Sequence, residues 1–420
     1  MTKVELLTIG DELLIGRTVN TNASWLGARL AEAGLQLGRI STLADVPADI
    51  HRALDRALAE YDLVILTGGL GPTRDDYTAQ ALADYVGQPL EVHAPSEARF
   101  RSFLAERNRP YTANHNQMLS IPRGSVGLVN PAGAAPGIRM MVGGKAVFAL
   151  PGVPHEMKAL YEAELLPWLQ QHVPRAEVRY ENWRLVVAES ELANRLAEVE
   201  DALAPGLSLA YNPGLGMLDL RLGMRTEEPG SLDAVFADTV QAIDARVRPW
   251  CFARGNTSLS EAVGRALQVR GLTLSVAESC TAGTLARTLA ETPGSSAWYQ
   301  GGVLTYSNEL KTKLIGVPAE LLATAGAVSS EVATAMAAGV AGLCHTPLAI
   351  STTGIAGPDG GTPDKPVGTV WVGLHTPLGT TTHLLRLEKD RLRNMQRAST
   401  AACWILYGWL RQNMPLPANS

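Results

Sequence analysis

The sequence predicts an α/β protein in which two domains built on parallel sheets flank a smaller α+β domain. Two observations carry the fold class. Short aliphatic strands such as Leu63-Val-Ile-Leu66 and Val147–Leu150 have no polar face, so both of their faces must meet other elements. Each strand then runs into a glycine-rich turn and an Ala/Leu-rich helix, the order that parallel strands with helical crossovers require. The length of 420 residues exceeds one ordinary core, so two or three domains are expected.

Residues 1–168 open with an apolar strand, Val4–Ile9, which ends at Gly10-Asp11-Glu12. Leu26, Leu30 and Ala33 mark one face of a helix that Gly34 stops. The strand Leu63–Leu66 feeds Thr67-Gly-Gly-Leu-Gly-Pro-Thr-Arg-Asp75-Asp76. Val147–Leu150 turns at Pro151-Gly-Val-Pro154 into a helix beginning near His155. This pattern reads as a parallel sheet covered on both faces.

Residues 169–254 change in texture. A strand at Trp183–Ala188, a helix from Glu189 to Leu203, a strand around Met217–Leu222 and a helix over Ser231–Val247 suggest a small α+β domain of ferredoxin-like type. Residues 255–414 return to alternation, with a helix from Leu259, a strand ending near Glu278 and a helix from Thr284. The last six residues are expected to fray.

Composition narrows the function. A net charge of −5 does not favour a broad nucleic-acid surface. Cys251, Cys280, Cys344 and Cys403 stand far apart without ligand spacing, which argues against structural zinc and disulfides. No apolar run is long enough to span a bilayer, and the N-terminus reads as a folded strand, so a cytoplasmic protein is expected.

In the first domain, Gly68, Gly69, Gly71 and Thr73 form a turn whose backbone amides can cradle phosphate. It fits neither a P-loop nor G-x-G-x-x-G. If the first and third strands are neighbours, Asp11-Glu12 and Asp75-Asp76 converge at one sheet edge. Carboxylates beside a phosphate cradle suit a hard divalent cation; acids after strands also serve as helix caps or solvated charges. Asn130-Pro-Ala-Gly-Ala-Ala-Pro-Gly137 is a third special turn, suited to ribose or base contacts. His155, Glu156 and Lys158 at a helix start complete the candidates.

The third domain carries Leu272-Thr-Leu-Ser-Val-Ala-Glu-Ser-Cys-Thr-Ala-Gly283, a buried strand that stops at a polar turn before a helix. Ser279 and Thr281 lie at the sheet's carboxyl edge, near helix amides able to hold an anion. Tyr306 and Lys311 share one short segment. A serine hydroxyl with a desolvated lysine can attack an acyl carbon without histidine, so a hydrolase of an amide or ester is expected. The alternative is that Ser279 and Thr281 merely cap the helix while Lys311 is solvated; Cys280 is a rival nucleophile. After Leu348–Ile350, Ser351-Thr-Thr-Gly-Ile-Ala-Gly-Pro-Asp-Gly-Gly-Thr362 reads as a second glycine-rich turn, with Thr352, Thr353, Gly354 and Gly357 placed for an oxyanion or phosphate. Gly301-Gly302 permits close approach of a ligand, and Arg391 and Arg393 are phosphate candidates or solvated helix charges.

Over nearly its whole length the chain resembles the bacterial CinA family (competence/damage-inducible protein A). Gly10-Asp-Glu, Thr67-Gly-Gly-Leu-Gly-Pro-Thr-Arg-Asp-Asp and Leu150-Pro-Gly-Val-Pro-His-Glu-Met resemble its molybdopterin-binding-like domain. That resemblance implies hydrolysis of ADP-ribose dependent on Co2+ or Mg2+, with Asp11, Asp75, Asp76 and Glu156 at the metal and Gly68, Gly69, Gly71, Thr73 and Asn130 at the nucleotide. Ala-Glu-Ser-Cys-Thr-Ala-Gly283, Thr-Tyr-Ser-Asn-Glu-Leu-Lys311 and Thr-Gly-Ile-Ala-Gly-Pro358 resemble its nicotinamide-mononucleotide deamidase domain, an α/β amidohydrolase needing no cofactor. There the resemblance implies Ser279 as nucleophile, Lys311 and Tyr306 as activating partners, and Thr281, Gly283, Gly301, Thr353, Gly354, Gly357 and Arg391 around the substrate. It also implies a homodimer paired partly through the middle region. Alternatives are a first domain that binds a pterin or nucleotide without hydrolysis, and a partner protein in competence or DNA damage. The chain departs from the family pattern at Ala282, where a second glycine is common, at Ala134 (usually Thr), at Asp359 (often Gly), in the arginine spacing after Asp390-Arg391, and in Val186-Val-Ala-Glu189.

Overall fold

The computed structural model describes residues 2–73 and 76–414, so the expected metal ligand Asp75 lies outside the described residues. Among the described residues three larger sheets and one two-stranded ribbon organise the fold. By compactness it divides into two units, 1–179 with 224–232, and 180–223 with 233–420.

In the first unit a six-stranded sheet has the order Gln36–Leu43, Lys3–Ile9, Leu63–Thr67, Lys145–Leu150, Gly137–Val142, Val126–Leu128. The first four strands are parallel, Gly137–Val142 runs against them, and Val126–Leu128 pairs antiparallel with it in turn. The sheet is thus mixed rather than wholly parallel. Its sense reverses because Gly143 and Gly144, at φ 56 and 82, close a two-residue hairpin between Val142 and Lys145, where both central residues need positive φ. Alternate strand residues feed two cores: Val4, Leu6, Ile65 and Phe148 on one face, Leu7, Val64, Leu66 and Val147 on the other. Continuous aliphatic strands are the consequence of this double covering.

The middle region runs strand Glu177–Leu185, helix Glu189–Asp201, strands Leu207–Pro213 and Leu218–Thr226, helix Asp233–Val247 and strand Cys251–Arg254. Numbered along the chain, the strands lie in the order 2-3-1-4. This β-α-β-β-α-β arrangement is ferredoxin-like. The sequence reading had two of its four strands.

The remaining sheet belongs to the second unit, in the order Tyr299–Leu304, Leu274–Glu278, Leu348–Gly354, Thr369–Thr376, Gly379–Arg386. Its first three strands are parallel and the other two antiparallel. The strand from Leu348 continues through Gly354, because residues Ala349 to Gly354 pair with His375 to Val370. Ser351–Gly354 is therefore strand, and the turn begins only at Ile355. Long helices Ser330–Cys344 and Arg391–Asn413 contribute to the cores beside this sheet. Among the described residues no helix is long and apolar enough to cross a membrane.

Candidate functional site

In the second unit the nucleophile candidate emerges where the buried strand Leu274–Glu278 ends. Ser279 donates its backbone N–H to Thr352 O at 2.9 Å, which pins the turn to the next parallel strand. Lys311 comes from the helix Asn308–Ile315, which follows the neighbouring strand Tyr299–Leu304. Its side chain folds inward, leaving the residue 1% exposed. The Nζ donates to Ser279 Oγ at 3.0 Å, Thr305 O at 2.8 Å and Tyr306 O at 3.3 Å. All three acceptors are neutral oxygens. Burial pushes the Lys311 ammonium below the ordinary lysine value, only partly countered by the Cys280 thiol. A serine hydroxyl and a lysine with a lowered proton affinity thus stand in hydrogen-bond contact.

The helix amides expected to hold a substrate anion have another occupant. Glu278, fully buried at the end of the strand, folds its carboxylate back onto the N–H groups of Gly283 (2.9 Å), Leu285 (3.1 Å) and Ala286 (2.7 Å). Neither Ser279 nor Thr281 caps the helix; Glu278 does, and negative charge belongs at that terminus. Sequence reading missed this role, although an acid inside an apolar strand signals an internal partner.

Several predicted substrate contacts point elsewhere. Thr281 is fully buried, its hydroxyl 2.6 Å from that of Thr352. Thr353 donates its Oγ1 to Ala327 O at 2.7 Å, inside the core. Gly283 gives its amide to Glu278. Gly301 lies within a strand, paired with Ser275 rather than with the turn. Gly354 also lies in strand, where a Cβ would meet Thr369 O at 2.6 Å. Gly357 is buried, and its carbonyl accepts from Arg391 at 2.9 Å. Tyr306 is 59% exposed and its phenol accepts from Arg391 at 3.0 Å rather than touching Ser279. Arg391, whose hydrogen-bond acceptors here are neutral, is suited to a phosphate. Asp359 and Arg393 are exposed, and Arg393 N–H is capped by Asp390.

Cys280 is buried, and burial pushes its thiol up to about 12, the opposite of what a reactive thiolate needs. Ala282 holds φ 47, the left-handed region that glycine tolerates and a Cβ resists.

In the first unit the carboxyl ends of the four parallel strands meet at a cleft of about 510 Å³. One acid of the cleft wall follows each strand in sequence: Glu12, Asp45, Asp76 and Glu156. Gly68, Gly69 and Gly71 line it too. Gly68 sits at φ 112, and a Cβ there would lie 2.1 Å from Ile9 O; only glycine lets the turn approach the first strand. Asp76 accepts from Thr73, at both its N–H (2.8 Å) and its hydroxyl. Asp11 is not in the cleft wall; its N–H donates to Asp45 at 2.9 Å. Asp45 was not anticipated, although it follows a strand as the other acids do. Asn130 is buried, donating to Ala135 O at 3.0 Å and to Glu156 at 2.7 Å, so it positions Glu156. His155 and Lys158 are absent from the cleft wall.

Oxygen donors of this kind suit a hard divalent cation. Among the described residues, however, no three His, Cys, Asp or Glu side chains stand close enough together to hold one. The acids ring the cleft without closing on one point.

Residues 256–410 match the CinA C-terminal domain, and residues 5–171 match the "Probable molybdopterin binding domain". A CinA-like protein of Salinibacter ruber is 41% identical over 407 residues, covering 95% of this chain and 97% of the relative. The chain belongs to the CinA family. A second CinA-like protein, from Chloroherpeton thalassium, is 40% identical over 406 residues, with 95% of this chain and 97% of the relative covered. The crystal structure of the Thermoplasma acidophilum CinA protein is 37% identical, covering 40% of this chain and 96% of that one, with a TM-score of 0.36.

Two outcomes follow for this CinA-family turn. Ala282→Gly relieves the left-handed alanine and stabilises the second unit by up to about 1 kcal/mol, read by urea unfolding; a lower midpoint contradicts the strain. Cys280 in the folded protein resists thiol alkylation at neutral pH and reacts once the chain is unfolded; rapid labelling of the native thiol contradicts its burial.

Proposed function

We propose that this chain is a bifunctional hydrolase of pyridine-nucleotide salvage. The second unit converts nicotinamide mononucleotide and water to nicotinate mononucleotide and ammonia. The observation that carries this reading is the 3.0 Å contact between Lys311 Nζ and Ser279 Oγ in a buried setting. Lys311 as free amine takes the Ser279 proton while Oγ bonds to the carboxamide carbon. As the tetrahedral centre collapses, the C–N bond breaks and Lys311 returns its proton to the departing ammonia. A water then gives a proton to Lys311 and attacks the ester, which releases the nicotinate and restores Ser279. Arg391, held by Tyr306 and Gly357, meets the substrate phosphate; Tyr306 thus positions Arg391 rather than relaying a proton. This domain requires no cofactor.

For the first unit the reading is hydrolysis of ADP-ribose to AMP and ribose phosphate in the glycine-rich cleft. Gly68, Gly69, Gly71 and Thr73 would take the pyrophosphate, and of the acids expected at the metal, Asp76 and Glu156 stand in the cleft wall and would hold Co2+ or Mg2+. Such an ion supplies charge neutralisation and Lewis-acid activation. The acidic wall supports this, because the described lining has no Lys or Arg to meet a phosphate unaided. A cytoplasmic homodimer is the expected setting.

Lys311→Met lowers kcat for ammonia release from nicotinamide mononucleotide by at least about a hundredfold. In the parent the rate rises with pH through an apparent pKa below the ordinary lysine value, since the amine must be unprotonated to act. A variant as active as the parent, or a flat profile over that range, contradicts the assignment. For the first unit, AMP release from ADP-ribose should require added Co2+ or Mg2+ and fall in Asp76→Asn. Binding without AMP release instead supports a nucleotide- or pterin-binding domain.

A further inference from the structure

Beside the acidic cleft of the first unit lies a second groove, of about 740 Å³. The two share Ala134 and Glu156 as wall residues, so they adjoin. At their junction the Glu156 carboxyl packs directly against Gly133, where a Cβ would lie 2.1 Å from the carboxyl carbon. The groove's other wall is the helix Ala94–Ala105, which buries only Ser96 and Leu104. Its aromatic residues are not spent on the core. Phe103 is 45% exposed, and its ring stacks with that of Phe100 at 6.0 Å and 15°. Arg107 lies over the Phe103 ring at 3.8 Å. Arg99 ties the helix to the turn by donating to Pro131 O at 2.5 Å.

We infer that this groove receives the aromatic base of the nucleotide whose pyrophosphate occupies the adjoining cleft, with Phe103 and Phe100 as its stacking platform. The inference rests on the nucleotide reading of that cleft. Three features select a base over another occupant. The exposed Phe103 and half-buried Phe100 put aromatic surface in the groove wall, the kind of surface a nucleobase packs against. Arg99, Ser102 and Glu106 in the groove wall supply both donors and an acceptor, which suits a purine edge with ring nitrogens and an exocyclic amine. The shared wall at Ala134 and Glu156 puts the groove next to the cleft, close enough for one extended ligand to reach both.

The test is calorimetric titration of the full chain with AMP and, separately, with inorganic pyrophosphate, both with Mg2+ present. The parent, Phe103→Ala and Phe103→Trp are compared. Phe103 is exposed, so neither substitution threatens the core. The expected result is AMP affinity about tenfold lower in Phe103→Ala and retained in Phe103→Trp, since an alanine removes one base-stacking contact. Pyrophosphate affinity is the same in all three. AMP affinity unchanged in Phe103→Ala, an equal loss for pyrophosphate, or no AMP binding by the parent overturns the inference. If the parent fails to bind pyrophosphate while AMP binding still depends on Phe103, the base groove stands and the phosphate reading of the cleft falls.

Discussion

The second unit depends on one costly arrangement, a lysine nitrogen buried against three neutral oxygens. Removing an ammonium from water is unfavourable, and hydrogen bonds to Thr305, Tyr306 and Ser279 offset only part of that loss. The imbalance is chemically useful, because it makes the free amine easier to reach than in an ordinary lysine. Everything nearby keeps this contact in place. The parallel register sets the two carboxyl ends side by side, Thr352 holds the Ser279 amide, and Glu278 anchors the following helix from inside. Because Glu278 already occupies the amides at the start of that helix, they are not open to a further anion.

The first unit uses the same topological rule for different chemistry. Its parallel strands deliver one acid each to the cleft wall, and glycines let the connecting turns close around it. Ligands of open α/β sheets bind at the carboxyl ends of the strands, and both units place their polar clusters there. One end presents a nucleophile with a neutral-oxygen cage, the other a ring of carboxylates.

Much of this was legible in the sequence, for identifiable reasons. Wholly aliphatic runs such as Leu63–Leu66 announce double covering, and the helix start at Thr284 after a strand and polar turn followed from the residue pattern. Ser279 and Lys311 could be paired because few residue types do that chemistry. Side-chain direction was not legible: Thr281 and Thr353 read as binding groups but turn inward. Sheet sense was misread where Gly143-Gly144 inserts a hairpin into an otherwise parallel pattern. The strand Leu207–Pro213 was missed although its burial alternates, because it is short, lacks a fully buried residue and ends in Pro213 before Gly214-Leu-Gly216. The cap by Glu278 and the carboxylate of Asp45 depend on neighbours distant in sequence. Ala282 is the converse case, a family departure whose physical meaning appeared only with its backbone angle.

The most direct measurement is ammonia release from nicotinamide mononucleotide, without added metal, by the full chain and by Ser279→Ala. The account predicts turnover by the parent that disappears in the variant, with the fold unchanged. Turnover that survives in the variant, or none in the parent, would contradict it.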